Sequence, residues 1–560
     1  MSYHKRGTHI STCIKKASHL RSLDLLTLII CCFHNVMSGE LSDTSYDRQQ
    51  NSVITITTEL TENSNDFQMN GRIEGIFAVG NGNFAPYYIA SNNHGLLTQS
   101  KDALLRFSLN KQPDKSRRFS YGFGIDFITG YTSSVDYLRY SSAETAEGMA
   151  VSNGWLTPHA KHPSRIWLQQ LYGEVRYRGV FLTVGMKEHS SALLNTSLSS
   201  GDLIESGNAR PIPEVRVGFN DFQNIPFTKG WLQIQGEISY GKMTDNAWIR
   251  DHYNYYNNHI NQGAIYSYKR CYFRTKPSER FSATFGMQVG AFFGGESSWY
   301  DNGVFTQKRE FSKGLKQFIK MFLPTDGGVE YYTGSSLGSW DVVFRYRLNN
   351  GSLLKAYMQK PWEDGSGIGF LNGFDGIWGI EFSAAQKGLI NGAVIEYLDF
   401  TNQSGPFHWD PDDYPGTTIT NRAEGADDYY FNHEYNAYAN YGMAIGSPFM
   451  VSPIYNTDGY LQFTANRVRG FHIGVSGNLC NELSYRLLGG YRRAWGSGRI
   501  PFISPKDDTS LMVEATYSPR NVKMLTIKAA FGLDHGELYG NTAGGMITIS
   551  LNGLIKFNRQ

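Results

Sequence analysis

Long stretches of this chain alternate apolar and polar residues with a period of two, and that alternation leaves few folds open to it. In the final segment Ile547, Ile549, Leu551, Gly553, Ile555 and Phe557 share one face, opposed by Thr548, Ser550, Asn552 and Lys556, with Leu554 the exception. Successive side chains of a β-strand point to opposite faces, so one face here is apolar and the other wet. Tyr121, Phe123, Ile125, Phe127 and Tyr131 repeat the pattern against Gly122, Gly124, Asp126 and Gly130, with tyrosine at both ends of the apolar face. Leu232, Ile234, Ile238 and Tyr240 oppose Gln233, Gln235, Glu237 and Ser239, and Val342, Phe344, Tyr346 and Leu348 oppose Arg345 and Arg347. Phe281, Ala283, Phe285, Met287 and Val289 oppose Ser282, Thr284, Gly286 and Gln288. Each segment runs roughly 8 to 13 residues, the length a tilted strand needs to cross hydrocarbon, whereas strands of soluble proteins average about 5 to 6.

The connections supply a second criterion. Short links stand at 111–118, 178–179, 276–279, 349–351, 386–390, 480–483 and 518–522, and long ones between them at 132–166, 187–212, 242–263, 294–339, 360–376, 401–469 and 493–510. Strict alternation of short and long is the signature of periplasmic turns and extracellular loops, and a sandwich has no reason to keep it. Taking 71–80 as the first strand and counting to the last gives about 18 strands, an even number, as bacterial barrels require. Closure follows because a backbone N–H or C=O left unpaired toward lipid costs several kcal/mol. The expected fold is all-β: a closed antiparallel transmembrane β-barrel with long extracellular loops. Composition agrees, with 35 Tyr, 34 Phe, 10 Trp and 60 Gly but only 18% charged residues. One stretch departs from period two. Leu315, Phe318, Ile319, Phe322 and Leu323 recur at three- and four-residue spacings among Lys313, Lys316 and Lys320, with Pro324 as a stop. They predict a short amphipathic loop helix that either caps or enters the lumen or packs on the barrel rim.

Domain boundaries are expected at 39 and 70. Residues 1–39 read as a signal peptide, with a basic stretch at Lys15, Lys16 and Arg21, an apolar run from Leu23 to Phe33 interrupted by Asp24, and small Ser38 and Gly39 near the cleavage point. A lipoprotein alternative at Cys31 or Cys32 meets the large Ile30 where lipidation wants a small residue. Residues 40–70 are expected to form a periplasmic segment and 71–560 the barrel. Cleavage near Gly39 leaves only Cys271 and Cys480, which is no disulfide framework, and no Cys/His spacing suits zinc. No apolar run of about 18 residues follows the leader, so no spanning helix is expected. The net charge of +2 is spread along the chain, which gives no electrostatic footprint for nucleic acid. Phe557 is the kind of terminal aromatic that barrel assembly machinery is expected to read, although Asn558, Arg559 and Gln560 follow it.

Several stretches resemble the Wzi family of capsule assembly outer-membrane proteins: Gly185 to Glu188, Ser206 to Arg216, Gln403 to Pro406, Tyr429 to Pro448, and Tyr455 to Gly459 running on to Asn466, Arg467 and Gly470 to Gly474. Their order and spacing carry the resemblance, from about Arg72 to the C-terminus. It implies a barrel that attaches capsular or related surface polysaccharide to the cell as a lectin, without catalysis and without a cofactor, with an occluded lumen. It carries over no residue-level ligand motif.

Site residues are therefore read from chemistry. Holding a glycan takes aromatic faces for sugar C–H surfaces and polar side chains for hydroxyls. Two regions are dense in both: Trp248, His252, Tyr253, Tyr255, Tyr256, Asn257, Asn258 and His259, and Trp409, Tyr414, Tyr429, Tyr430, Tyr435, Tyr438 and Tyr441. From these, polysaccharide contact is assigned to Trp248, Tyr253, Tyr255, Tyr256, Trp409, Tyr429, Tyr430, Tyr435 and Tyr438; the bland alternative is that such rings pack the loops together. Arg176, Arg178, Arg345 and Arg347 are expected to pair with lumen carboxylates such as Glu174, Glu237 and Glu381. Asp410, Asp412, Asp413, Asp427 and Asp428 offer hard oxygen ligands but lack the glycine and terminal Glu of a calcium loop. His189, Ser190 and Ser191 suggest a hydrolase only if a base and an orienting partner meet the hydroxyl. The leading expectation is a surface-polysaccharide tether in contact with outer-membrane lipid; the alternative is a porin or substrate-specific channel.

Overall fold

The computed structural model describes residues 55–57, 67–140, 155–276, 278–322, 334–363, 365–403, 408–409, 423–424, 427–498 and 500–557. Eighteen long strands form its wall: β1 (Phe67–Phe84), β2 (Gln99–Lys111), β3 (Phe119–Thr132), β4 (Ile166–Tyr177), β5 (Val180–Met186), β6 (Pro213–Phe219), β7 (Leu232–Lys242), β8 (Ile265–Thr275), β9 (Phe281–Phe293), β10 (Gly334–Arg347), β11 (Leu353–Trp362), β12 (Gly376–Ser383), β13 (Gly392–Asp399), β14 (Val468–Asn478), β15 (Leu483–Gly496), β16 (Pro501–Tyr517), β17 (Leu525–Gly536) and β18 (Thr542–Phe557). Each pairs antiparallel with its sequence neighbours. β1 pairs with β18 from Phe67↔Phe557 to Gly80↔Gly544, which closes the barrel. The first strand starts at Phe67 rather than residue 71, and a three-residue strand at Thr55–Thr57 also pairs with β18.

The alternation has the consequence expected of it. Tyr121, Ile125, Phe127 and Tyr131 of β3 are exposed on the outer wall, while Asp126 between them is 4% exposed and faces the lumen. Phe281, Phe344, Ile380, Ile395, Phe471, Val513 and Phe531 continue the apolar belt around the barrel. Tyr177, Tyr346 and Tyr517 stand toward its turn end, and Tyr131 and Tyr491 toward its loop end. An apolar outer band flanked by aromatic girdles is the surface of an outer-membrane barrel. No helix among the described residues is long and apolar enough to cross a membrane; the strands do the crossing.

Turns and loops segregate to opposite ends as their lengths predict, with one correction. Residues 493–510 are not a long loop: β15 and β16 stay paired up to Gly496↔Pro501, so the connection is four residues, 497–500. Arg493 and Asp507 face each other on this tall hairpin with nitrogen–oxygen distances of 2.7 Å. The alternation weakens there because a strand rising beyond the hydrocarbon is wet on both faces. The three short helices that matter below are α1 (Tyr87–Ala90), α2 (Asn246–His252) and α3 (Leu315–Lys320). α3 is six residues long, and it packs on the outer wall near the rim, not in the lumen; Leu323 and Pro324 lie outside the described residues.

Candidate functional site

Two loops and α1 turn inward and fill the lumen. The loop 187–212 leaves β5 just after Gly185, whose φ of +117° and close approach to the Leu171 carbonyl admit no Cβ. It then meets the wall on nearly every side. Arg106 of β2 holds Glu188 (3.0 Å) and Asp126. Lys355 of β11 donates to the Leu193 carbonyl at 2.9 Å, and Arg486 of β15 to that of Ser197 at 3.1 Å. The amides of Ser200 and Leu203 donate to Glu396 of β13 (2.7 Å) and Gln359 of β11 (3.1 Å), and Gln288 of β9 donates to Asp202 (2.6 Å). Apart from the exposed Arg486–Ser197 bond, each satisfies a backbone or side-chain group that burial would otherwise penalise by about 1 to 3 kcal/mol.

The densest of these contacts is charged. Arg216 of β6 reaches Glu205 of the loop at 2.7 Å, Glu214 at 2.7 Å and Glu237 of β7 at 2.8 Å; Arg270 adds a second cation to Glu237, and His189 meets Glu214 at 2.8 Å. Arg176 pairs with Glu174 as expected, whereas Glu237 is held by Arg216 and Arg270 and Glu381 by Lys355, not by the arginines expected there. Arg345 instead donates to Thr284 at 3.0 Å, and Arg178 lies over the Tyr177 ring at the turn end. Ser191 donates to Asp202 at 2.8 Å, while His189 is turned to Glu214, so the two are engaged with different partners. Burial raises the Asp202 carboxyl above its ordinary range, and its hydrogen bonds from Ser191, Ile204, Gln359 and Gln288 oppose that rise.

The second loop, described over 427–467, clasps the first. Tyr430 donates to the Leu203 carbonyl at 2.5 Å, Ser206 to that of Gly446 at 2.7 Å, and Asn208 to that of Ala444 at 2.9 Å. Tyr430 stacks on Tyr438, whose hydroxyl lies so close to Gly290 of β9 that a Cβ there would collide with it. α1 closes the remaining quadrant. The Tyr87 amide donates to Asp534 at 2.9 Å, and Tyr88 donates to His472 Nδ1 at 2.7 Å. His472 Nε2 in turn donates to the Leu198 carbonyl at 2.7 Å, which places a proton on Nε2. Below α1 and the 196–200 segment lies a cavity of about 170 Å³ lined by Tyr88, Asn92, Ser199, Arg486, Glu514 and Lys528, among others.

The nine aromatic site residues divide sharply. Tyr429, Tyr430, Tyr435 and Tyr438 are at most 4% exposed and form the core between the loops and the wall. Tyr253 and Tyr255 are buried in a smaller core with Ile249, Ile260 and Leu461. Tyr256 is 44% exposed and Trp248 half-buried, stacked on His252 at 4.1 Å. Trp409 stands in a two-residue strand paired with Ala423–Glu424; its side chain, like all of Tyr414, Asp410, Asp412 and Asp413, lies outside the described residues. Asp427 accepts from the Glu363 amide and Asp428 from Asn466. Among the described residues no group of three His, Cys, Asp or Glu is placed to hold a metal ion. Trp155, 68% exposed in the cap, was passed over because it stands alone in the sequence, away from the aromatic clusters.

No family model matches the chain, and no curated protein matches it. Among solved structures it is similar to Wzi of Escherichia coli, an outer-membrane protein involved in group 1 capsule assembly and a carbohydrate-binding β-barrel, at 12% identity over 86% of this chain and 84% of that one, with a TM-score of 0.49. It is also similar to OccK3 (OpdO) of Pseudomonas aeruginosa, at 12% identity over 87% and 95% with a TM-score of 0.41. OccAB2 of Acinetobacter baumannii matches at 8% identity over 87% and 97%, with a TM-score of 0.42. Likenesses this distant leave function to be argued from the barrel's own geometry.

Proposed function

We propose that this protein is an outer-membrane platform that retains capsular or other surface polysaccharide on the cell, acting as a lectin-like tether without catalysis. The observation that carries the reading is the 187–212 loop. Its hydrogen bonds to β2, β9, β11, β13 and β15 tie it across the lumen, and the 427–467 segment is clasped onto it. A barrel filled in this way presents a rigid outer cap on a membrane anchor, which suits holding a polymer better than passing a solute. It is also the function that the sequence resemblance implies. Glycan contact falls to the aromatic faces the cap leaves open, Tyr256 and Trp248 with Trp155, while Tyr253, Tyr255, Tyr429, Tyr430, Tyr435 and Tyr438 hold the loops in place behind them. A leader at 1–39 would deliver the chain to the envelope, where barrel assembly machinery inserts it. A deletion strain tests the proposal: polysaccharide should still be made but appear in the medium, and unchanged retention on the cell would refute it. In a planar bilayer the intact protein should show no steady large conductance; such a conductance would favour a channel instead.

A further inference from the structure

The protein covers part of its own lipid-facing wall. β9 presents Phe281 and Phe285 outward, 53% and 46% exposed, yet Val289, Ala291 and Phe293 on the same face are buried. α3 lies over them. Its Phe318 ring packs on Phe293 and Tyr240 at centroid distances of 4.9 and 5.0 Å, the Tyr240 hydroxyl donates to the Phe318 carbonyl at 3.2 Å, and Lys269 on the outer face of β8 donates to the carbonyl of Met321. Eight residues from Phe281 to Val289 rise ~26 Å along the strand, or ~20 Å along the axis of a barrel whose strands tilt by about 40°. The apolar band of such a barrel is about 25 Å tall, so α3 straddles its outer edge.

The face of α3 turned away from the wall is not polar. Leu315, Ile319 and Phe322, spaced four and three residues apart on one side of the turn, are 78%, 65% and 50% exposed. Lys313 and Lys316 are exposed beside them, and residues 311–322 contain three lysines and no acid. Lys313 crosses Gly294 and approaches Gly263 at the tops of β9 and β8, the headgroup side of the helix. The same construction recurs further round the wall. Lys360 of β11, level with Trp340 of β10, donates to the Gly373 carbonyl at 2.6 Å. Phe370 stacks on Trp340 and Phe374 on Trp378, leaving Phe370, Leu371 and Phe374 53%, 56% and 61% exposed.

We propose that α3 and the 367–375 loop form a collar seated in the interface of the outer leaflet, where their apolar side chains enter the acyl region and Lys313 and Lys316 hold the phosphate groups of anionic lipids. Continuity with the lipid belt below and the exclusively basic charge of residues 311–322 at the headgroup level select anionic lipid over a protein partner. The collar stands independently of what the outer cap binds.

The test places a bimane label at Ile319→Cys in full-length protein whose five native cysteines are serine, reconstituted in nanodiscs. Brominated acyl chains should quench it at least threefold more than aqueous iodide, and a label at the exposed loop residue Asn302→Cys should show the reverse. Quenching by iodide at 319 as strong as at 302 would overturn the collar, and so would a 319-to-319 cross-link marking a second copy on this face. Each lysine near an anionic surface strengthens association about fivefold. Native mass spectrometry of the Lys313→Gln/Lys316→Gln variant should therefore show its preference for phosphatidylglycerol over phosphatidylcholine reduced by more than tenfold. An unchanged preference, in a variant whose heat-modifiable gel mobility is intact, would overturn the headgroup assignment.

Discussion

Acid should loosen the outer cap around α2, and the structure says by how much and through which group. His252 is buried against Tyr137 and Trp248, with its Nδ1 2.8 Å from the Trp248 carbonyl. Burial lowers its pKa from 6.5 to about 4, which the Trp248 carbonyl and Asp251 only partly oppose. Between those values the unfolded segment binds a proton that the folded one refuses, so stability is whole above pH 6.5 and is lost as the pH falls toward 4. At about 1.36 kcal/mol per pKa unit, moving from pH 7 to pH 5 removes about 2 kcal/mol. Asp245, at the start of α2, works the other way. Burial lifts its pKa to about 6, against the Tyr441 amide that donates to it, so the same acidification returns about 1 kcal/mol. His259 has the sign of His252, since burial lowers it to about 4, but its ring nitrogens lie 2.7 Å from Asn258 Oδ1 and 3.3 Å from the Tyr435 carbonyl. Two oxygen acceptors favour the imidazolium and trim its share. Hydrogen exchange of peptides within 245–262, corrected for intrinsic rates, should show local opening at least several-fold more frequent at pH 5 than at pH 7. His252→Gln should remove about 2 kcal/mol of that acid response and Asp245→Asn should add about 1. Equal responses in wild type and His252→Gln would refute the assignment.

Other perturbations reach the plug. Arg216→Met should strip Glu205 of its cation and leave Glu214 to His189 and Glu237 to Arg270 alone, and cost about 3 to 5 kcal/mol, read as a lower temperature for loss of the folded gel mobility. Gly290→Ala should push against the Tyr438 hydroxyl and destabilise the plug by about 1 to 3 kcal/mol, with partial rescue by Tyr438→Phe, which removes the colliding atom. Replacing residues 190–208 by a flexible Gly/Ser linker should create a steady single-channel conductance where the intact barrel gives none, because the bonds to Lys355, Glu396 and Arg486 go with them. Tyr256→Ala with Trp155→Ala should weaken polysaccharide retention while leaving the melting temperature within a few degrees, since both rings are exposed.

The wall was legible because lipid enforces it. Along β3, Tyr121, Phe123, Ile125, Phe127 and Tyr131 recur at alternate positions, interrupted only by Thr129, and the count of 18 strands follows from that rule together with loop parity. Where lipid ends, the signal ends, which is why Pro501 to Asp508 reads as a loop although it is strand. The density of tyrosine between 429 and 441 was visible, but its role was not. Burial of Tyr430 depends on the Leu203 carbonyl more than two hundred residues earlier in the chain, and nothing local to Tyr430 encodes that contact. A helix shows in the spacing of Leu315, Phe318, Ile319 and Phe322, whereas the wall it lies against is set by Phe293 and Tyr240, and nothing near 315–320 in the sequence encodes that contact.

The plug follows from the same alternation that makes the wall. If one set of alternate positions in each strand faces lipid, the other faces a lumen lined with Arg106, Glu174, Arg216, Lys355, Glu396 and Arg486, and no purely apolar segment could fill such a space without leaving those groups unpaired. The filling segment must therefore bring carbonyls to the cations and amides to the carboxylates, as 193–203 does with Lys355, Arg486, Glu396 and Gln359. Such bonds are directional, so they fix the register of the loop against the wall. Their net contribution is modest, because water in an emptied lumen would satisfy the wall groups again. Persistence of the closed arrangement then rests on the apolar side chains that only the folded loops bury: Leu198, Leu203 and Ile204 on one loop, Tyr430, Tyr438 and Phe449 on the other. Polar contacts position the plug and apolar ones keep it there, a division of labour in which truncating Leu203 should open the lumen more readily than removing any single hydrogen bond to the wall.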